Sequence, residues 1–394
     1  MMKAGLRRQP KSAVFSTIAR LPTVCHICLI RRMWICLPLT VSSLKQKMHT
    51  QMKRVFYFFA LIFALLDTNA SAQQISYSVK QIWSNGSHCA FTSIERFNGR
   101  YYCTFREGAT HIFDSNGEAK GKIRILASDD GEKWESVAFI GKEGFDLRDP
   151  KLSVTPDGRL MIIVGGSIYH NRKLEGCVPH VIFSDDGKSF SEPQPITLDE
   201  KMRTGHDWLW RVTWHDNIGY GVSYSKASNN EIITHLLKTD DGVKYSLVKS
   251  FNHDGYPNEA TVRFLPDGRM AIMLRRDAGD CKAMWGLSRA PYTEWEWRKM
   301  EFRLGGPDFI VLDDDHLVAG GRTHYVPSAA KTTIFTGKNS GRFEEVITLP
   351  SGGDTSYPGF LIAGNELWVS YYSTHETKNA SIYLAKFPLD LFKR

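Results

Sequence analysis

The chain has 394 residues, 42% of them hydrophobic and 23% charged, enough apolar content to bury a large core without covalent staples. Its formal charge of +8 is confined to one end: residues 1–72 hold eleven of the 50 Lys and Arg but one of the 42 Asp and Glu, leaving 39 basic against 41 acidic residues in 73–394. A nucleic-acid partner is therefore not expected, and no Gly-rich phosphate loop or His/Cys ligand spacing calls for a cofactor or metal.

Residues 1–51 contain no acidic residue and precede a complete export signal. Met52-Lys53-Arg54 opens a short basic region, Val55 to Leu66 is apolar, and Ala70-Ser71-Ala72 precedes Gln73. This is the pattern of a secretory signal peptide cleaved after Ala72, too short for a spanning helix. Residues 1–51 then read as a misplaced gene start ahead of Met52, with an extended leader or an anchor as the rival reading. The mature chain, 73–394, is expected to be secreted or periplasmic, monomeric and not inserted in a membrane. Of seven Cys, Cys25, Cys28 and Cys36 fall in the leader, so Cys25-x-x-Cys28 reads as chance. Cys89 and Cys103 lie on paired strands and could bridge in an oxidising compartment, or stay as buried thiols.

Six turn signals follow, each ahead of an apolar strand-like run: Asn98-Gly99, Asp157-Gly158, Asp216-Asn217, Asp267-Gly268, Asp313-Asp314 and Gly364-Asn365. Such pairs mark hairpins because both residues tolerate positive φ. Gly99, Gly158, Asn217, Gly268, Asp314 and Asn365 are spaced by 59, 59, 51, 46 and 51 residues. A period of that size filled with strands predicts an all-β chain, a six-bladed propeller of four-stranded antiparallel blades, as one domain over 73–394. A second repeat runs out of phase: Ser128-Asp129-Asp130-Gly131-Glu132-Lys133-Trp134, Ser184 to Phe190 and Thr239 to Tyr245 share Ser/Thr-x-Asp-Gly-x-x-aromatic. Side-chain oxygens bonded to local backbone, Gly at positive φ and an aromatic beneath make a self-contained turn with no catalytic role.

In a hairpin the start of the first strand and the end of the second share one edge. One face of the propeller therefore collects His88, Arg148-Asp149, Asp207-Trp208 with Arg211, Asn258-Glu259, Asp308 and Tyr357 from strand starts. Strand ends add Arg106-Glu107, Arg275-Arg276, Arg322 and His375-Glu376. Several Arg converging with carboxylates and a Tyr suit an acidic sugar, since Arg grips a carboxylate through a bidentate fork.

With these motifs in place the chain resembles the sialidase (neuraminidase) superfamily over essentially all of 75–394, in the manner of exo-α-sialidase-like proteins. Those six-bladed propellers carry Ser-x-Asp-x-Gly-x-x-Trp repeats, called Asp boxes or BNR repeats. The family's fourth-blade Glu, the Arg some fifteen residues on, a fifth-blade Arg ending a strand and a sixth-blade Tyr match Glu259, Arg275, Arg322 and Tyr357. Asp149 stands at a second-blade position where the family has a pocket Asp. The resemblance implies Tyr357 as nucleophile with Glu259 as its base, the recognised exception to two-carboxylate hydrolysis, and Arg275 and Arg322 as carboxylate clamps. Where the family's first blade has Arg, this chain has Ala90, with Arg106 the candidate replacement. The acid–base Asp belongs in the loop before the first Asp box, where Asp114 is the candidate, with Glu118 and His111 nearby. The expectation is a secreted, retaining, metal-free glycoside hydrolase acting on a terminal sialic acid. Alternatives are a hydrolase of another acidic sugar, uronic or keto-acid, or a carbohydrate-binding propeller without turnover.

Overall fold

The computed structural model describes residues 76–226, 231–324 and 329–393. The expected leader and signal peptide, 1–72, lie outside them. Six sheets, antiparallel apart from one short parallel pairing in the third, follow in chain order, at 88–140, 146–195, 197–251, 257–299, 305–348 and 355–388, numbered here as blades 1 to 6. Each has four strands. Blade 3 gains a two-residue strand, Thr197–Leu198, and blade 6 takes its outer strand, Ser78–Trp83, from the start of the unit, where it pairs with Ser381–Pro388. The two ends of the unit thus close the ring. Among the described residues there is no α-helix, so the predicted six-bladed, all-β fold is what the sequence forms.

Every expected hairpin turn joins the first two strands of its blade. Asn98 and Gly99 take φ of 47° and 81°, and Asp216 and Asn217 49° and 63°, the left-handed pair that matches strand twist. The three Ser/Thr-x-Asp-Gly turns form as local hydrogen-bond knots. Ser128 Oγ accepts from the Gly131 N–H at 2.8 Å, while Asp130 Oδ1 accepts from the Glu132 and Lys133 amides at 2.8 and 2.9 Å. Ser184 with Asp186 and Thr239 with Asp241 repeat this. The backbone donors hold the exposed Asp130 and Asp186 carboxyls down to about 2.

The glycines of these turns do a second job. A Cβ on Gly131 would meet the Trp368 ring of blade 6 at 1.9 Å, one on Gly187 the Tyr102 hydroxyl of blade 1 at 2.0 Å, and one on Gly242 Met161 Sδ of blade 2 at 2.6 Å. Each turn therefore presses onto the preceding blade. Gly131→Ala adds a side chain at φ 70° and overpacks Trp368, and is expected to cost about 2–4 kcal/mol in a denaturant titration.

Four free cysteines occur among the described residues. Cys89 and Cys103 are both buried and unbridged. Their strands do pair, but Cys89 lies opposite Glu107 and Cys103 opposite Ile94, so the two thiols are separated along the ladder.

The site is positioned by a feature shared by all six inner strands. Each carries a register shift near its start: between Ala90 and Ser93, Arg148 and Lys151, Leu209 and Val212, Pro257 and Ala260, Gly305 and Asp308, and Ser356 and Gly359. A bulge leaves its extra residues unpaired and re-aims their side chains. The residues set free are Phe91-Thr92, Asp149-Pro150, Trp210-Arg211, Asn258-Glu259, Gly306-Pro307 and Tyr357-Pro358. Phe91, Asp149, Gly306 and Tyr357 sit at φ of 68°, 48°, 59° and 53°. Neighbouring blades satisfy the carbonyls released: Thr92 Oγ1 donates to Tyr357 O at 2.9 Å and Thr261 Oγ1 to Pro307 O at 2.8 Å.

Candidate functional site

Tyr357 is the centre. Its hydroxyl donates to Glu259 Oε1 at 2.7 Å, and Arg275 Nη1 donates to both Glu259 Oε2, at 2.6 Å, and the Tyr357 oxygen, at 3.1 Å. The Gly306 amide, released by the blade 5 bulge, gives Glu259 Oε2 a further bond at 2.8 Å. Burial raises the Tyr357 phenol well above its ordinary value; Glu259 adds to this and Arg275 opposes it. The resting phenol is therefore neutral, with an ionisable acceptor already in place for its proton.

Phe91, Trp210 and Tyr372 wall the ring at centroid distances of 4.9, 5.5 and 6.1 Å, and the Arg322 guanidinium lies 5.6 Å from it. Arg322 donates to Thr355 O at 2.9 Å and to the Tyr372 hydroxyl at 2.6 Å. Burial alone would lower it, but Tyr372, Tyr357 and Asp354 hold it firmly charged. Arg275 reaches Asp277 as well, and Asp277 is shared with Arg303. The two arginines expected as clamps thus flank Tyr357.

Asp149 sits at the blade 2 bulge, buried, with Oδ1 lacking a hydrogen-bond partner among the described residues. Burial pushes its carboxyl up, and pushes the Lys151 ammonium down; each opposes the other's shift, and both feel Glu259. Lys151 Nζ lies 4.6 Å from the Trp210 ring and 5.8 Å from the Tyr357 ring, an almost fully buried amine beside the couple.

Two expectations are corrected. Arg106 does not replace the absent first-blade arginine. It is wholly buried, paired with Asp146 of blade 2 at 2.7 Å and bonded to the carbonyls of Thr110 and Ile112. Its donors brace blade 1 to blade 2. Arg211 is likewise a buried brace: it pairs across to Asp308 of blade 5 at 3.2 Å, and Arg263 holds the other oxygen of Asp308 at 2.8 Å. Both facts follow from partners one or more blades away, which local sequence does not reveal.

The loop of residues 109–121 separates its candidates. Asp114 Oδ1 caps its own turn, accepting from the Asn116 and Glu118 amides at 2.8 and 2.9 Å, and Glu118 pairs with Lys120. His111 instead reaches out of the loop: its Nδ1 lies 2.9 Å from Asp354 Oδ2, and its ring meets Phe91 edge-on at 5.1 Å. His88 Nε2 binds the same Asp354 oxygen at 2.8 Å, while Tyr372 donates to Oδ1 at 3.0 Å and Arg322 approaches it at 3.5 Å. Burial alone would raise Asp354, yet the hydrogen bonds from His111 and His88 hold it well below the usual carboxylate range. By donor type, His88, His111 and Asp354 form the one group among the described residues that could face a cation together, their ligand atoms lying within 4.8 Å. A guanidinium already lies beside the carboxylate and the two imidazoles bond one oxygen, so the set is a hydrogen-bonded cluster.

Sequence reasoning missed Asp354, whose signal was only its place three residues before Tyr357. It put Arg148 on the right face without a role. Arg148 stacks over Phe91 at 5.0 Å and donates to Asp146 at 3.1 Å, so blade 2 supplies a cation beside the ring that follows Ala90. A separate cleft, lined by residues 116–122, 141–145 and 169–172, contains none of the residues around Tyr357.

No protein-family model matches the chain, and no curated protein matches it. Solved structures do. A Dyadobacter fermentans protein of unknown function shares 19% identity over 80% of this chain and 99% of its own, with a TM-score of 0.67. Trypanosoma rangeli sialidase in complex with the inhibitor DANA shares 12% over 79% of this chain and 59% of its own (TM-score 0.64). The Hadza microbial sialidase Hz136 shares 13% over 77% and 66% (TM-score 0.61). The chain thus spans somewhat under two thirds of the length of these sialidases. At such identities the likeness establishes the fold: a six-bladed propeller whose structural neighbours include sialidases.

Proposed function

We propose that the protein is a glycoside hydrolase of sialidase type, removing a terminal sialic acid or a closely related acidic sugar from glycans with retention of configuration. The observation that carries this reading is the Tyr357–Glu259 couple at 2.7 Å with Arg275 bonded to both members. A carboxylate on the anomeric carbon repels an anionic nucleophile, whereas a neutral phenol approaches it without that penalty and gains nucleophilicity as Glu259 takes its proton. In this mechanism Arg275 and Arg322 receive the sugar carboxylate and Asp149 lies at the blade 2 wall. A pure binding module needs no buried phenol–carboxylate couple.

Ala90 in place of an arginine supports a second reading, a hydrolase on the same scaffold acting on another acidic sugar, uronic or keto-acid. The test is release of 4-methylumbelliferone from its α-sialoside by residues 73–394, alongside a 4-methylumbelliferyl uronoside. Turnover of the sialoside is expected. Turnover of the uronoside alone supports the second reading, and of neither the binding module.

A further inference from the structure

We propose that His111, oriented by Asp354, is the group that protonates the departing glycosidic oxygen and afterwards takes the proton of the attacking water. The assignment rests on the Tyr357 mechanism above and names the acid–base that the mechanism still lacks.

Three observations carry it. First, the carboxylates of the loop are committed elsewhere: Asp114 to its own turn and Glu118 to Lys120. Second, His111 is built into the site from another blade. Asp354 lies three residues before Tyr357, and Phe91 touches both the His111 ring, at 5.1 Å, and the Tyr357 ring, at 4.9 Å. Third, the ring has one nitrogen engaged and one open. An ionised Asp354 can only accept, so the 2.9 Å contact fixes the proton on Nδ1, and Nε2 makes no hydrogen bond among the described residues. With its side chain 42% exposed, His111 is the more accessible of the two imidazoles; His88, bound to the same oxygen, is 7% exposed and serves to hold Asp354.

The Tyr357 oxygen bonds to the anomeric carbon as its proton passes to Glu259. The bond from that carbon to the aglycone oxygen breaks with its electron pair on oxygen, which takes the Nε2 proton of His111. In the second half, water attacks the anomeric carbon and yields a proton to Nε2, while Tyr357 departs and recovers its proton from Glu259.

The groups facing His111 set its titration. Burial lowers it from the ordinary 6.5; Asp354 of blade 6 opposes this, and Arg148 of blade 2 and His88 of blade 1 add to it, while Arg322 of blade 5 bears on it through Asp354. Since the acid must be protonated, kcat/KM is expected to fall as pH rises through a value below 6.5, and removing the Asp354 charge to move that limb to lower pH.

The experiment compares wild type, His111→Gln and Asp354→Asn on 4-nitrophenyl α-sialoside and on sialyllactose, whose leaving group needs a proton. Wild-type turnover decides the underlying reading first; with none on either substrate, the sialidase reading falls and the assignment falls with it. Given turnover, His111→Gln is expected to lose about 10²–10⁴-fold in kcat/KM on sialyllactose and less than tenfold on the nitrophenyl substrate. Azide should restore its kcat by trapping the covalent intermediate, and Asp354→Asn should shift the alkaline limb of the pH profile. Equal losses on both substrates, or an unmoved limb, would overturn the assignment. So would a stoichiometric divalent metal in the wild-type protein whose removal by EDTA abolishes activity.

Discussion

Tyr357→Phe is expected to reduce kcat by about 10³-fold or more while leaving the fold and ligand affinity nearly unchanged, because the substitution removes one oxygen and nothing else. The ring's packing against Phe91, Trp210 and Tyr372 and its contact with Arg322 survive without the hydroxyl. Glu259 keeps its bonds to Arg275 and the Gly306 amide, so no charge is stranded. What disappears is the atom that attacks. Wild type and variant should therefore bind a free acidic sugar equally in calorimetry and differ only in turnover. A variant retaining a tenth of wild-type kcat would show that Tyr357 is a packing residue and that another group attacks.

Arg322→Ala is expected to act on binding instead. Three Arg322 contacts are internal, to Thr355 O, the Tyr372 hydroxyl and Asp354, while Nη1 has no hydrogen bond among the described residues and is the donor left for a substrate carboxylate. A charge-assisted hydrogen bond contributes about 1.5–3 kcal/mol, so losing it should raise KM roughly 10- to 100-fold or more. Arg322→Lys, keeping charge without the fork, should fall between the two. If Arg322→Ala bound the acidic sugar as wild type does, the carboxylate pocket would have to be sought elsewhere, beside Arg148 for instance.

The fold was legible because its signals are local. Turn pairs such as Asn98-Gly99 and the Ser128–Trp134 knot satisfy themselves within a few residues, so sequence spacing alone counts the blades. The Tyr357, Glu259, Arg275 and Arg322 cluster was legible by resemblance, and the shared strand edge explains why residues 98 positions apart meet. Arg106 and Arg211 misled because a strand-end arginine looks alike whether it faces a ligand or a neighbouring blade; only Asp146 and Asp308 decide, and both are distant in sequence. The bulges went unread, although Pro150, Pro307 and Pro358 inside strand-like runs are the residues that cannot donate to a ladder and so mark its interruption. In the loop, Asp114-Ser115-Asn116-Gly117 was readable as a turn, which removes Asp114 and leaves Glu118 and His111; the pairing of Glu118 with Lys120 then decides between them.

The most direct measurement is covalent trapping with 2,3-difluorosialic acid followed by intact-mass and peptide mass spectrometry. The proposed mechanism predicts one fluorosialyl unit per chain, on the peptide that contains Tyr357, and none on Tyr357→Phe. An adduct on any other residue, an adduct that persists in Tyr357→Phe, or no adduct at all would contradict it.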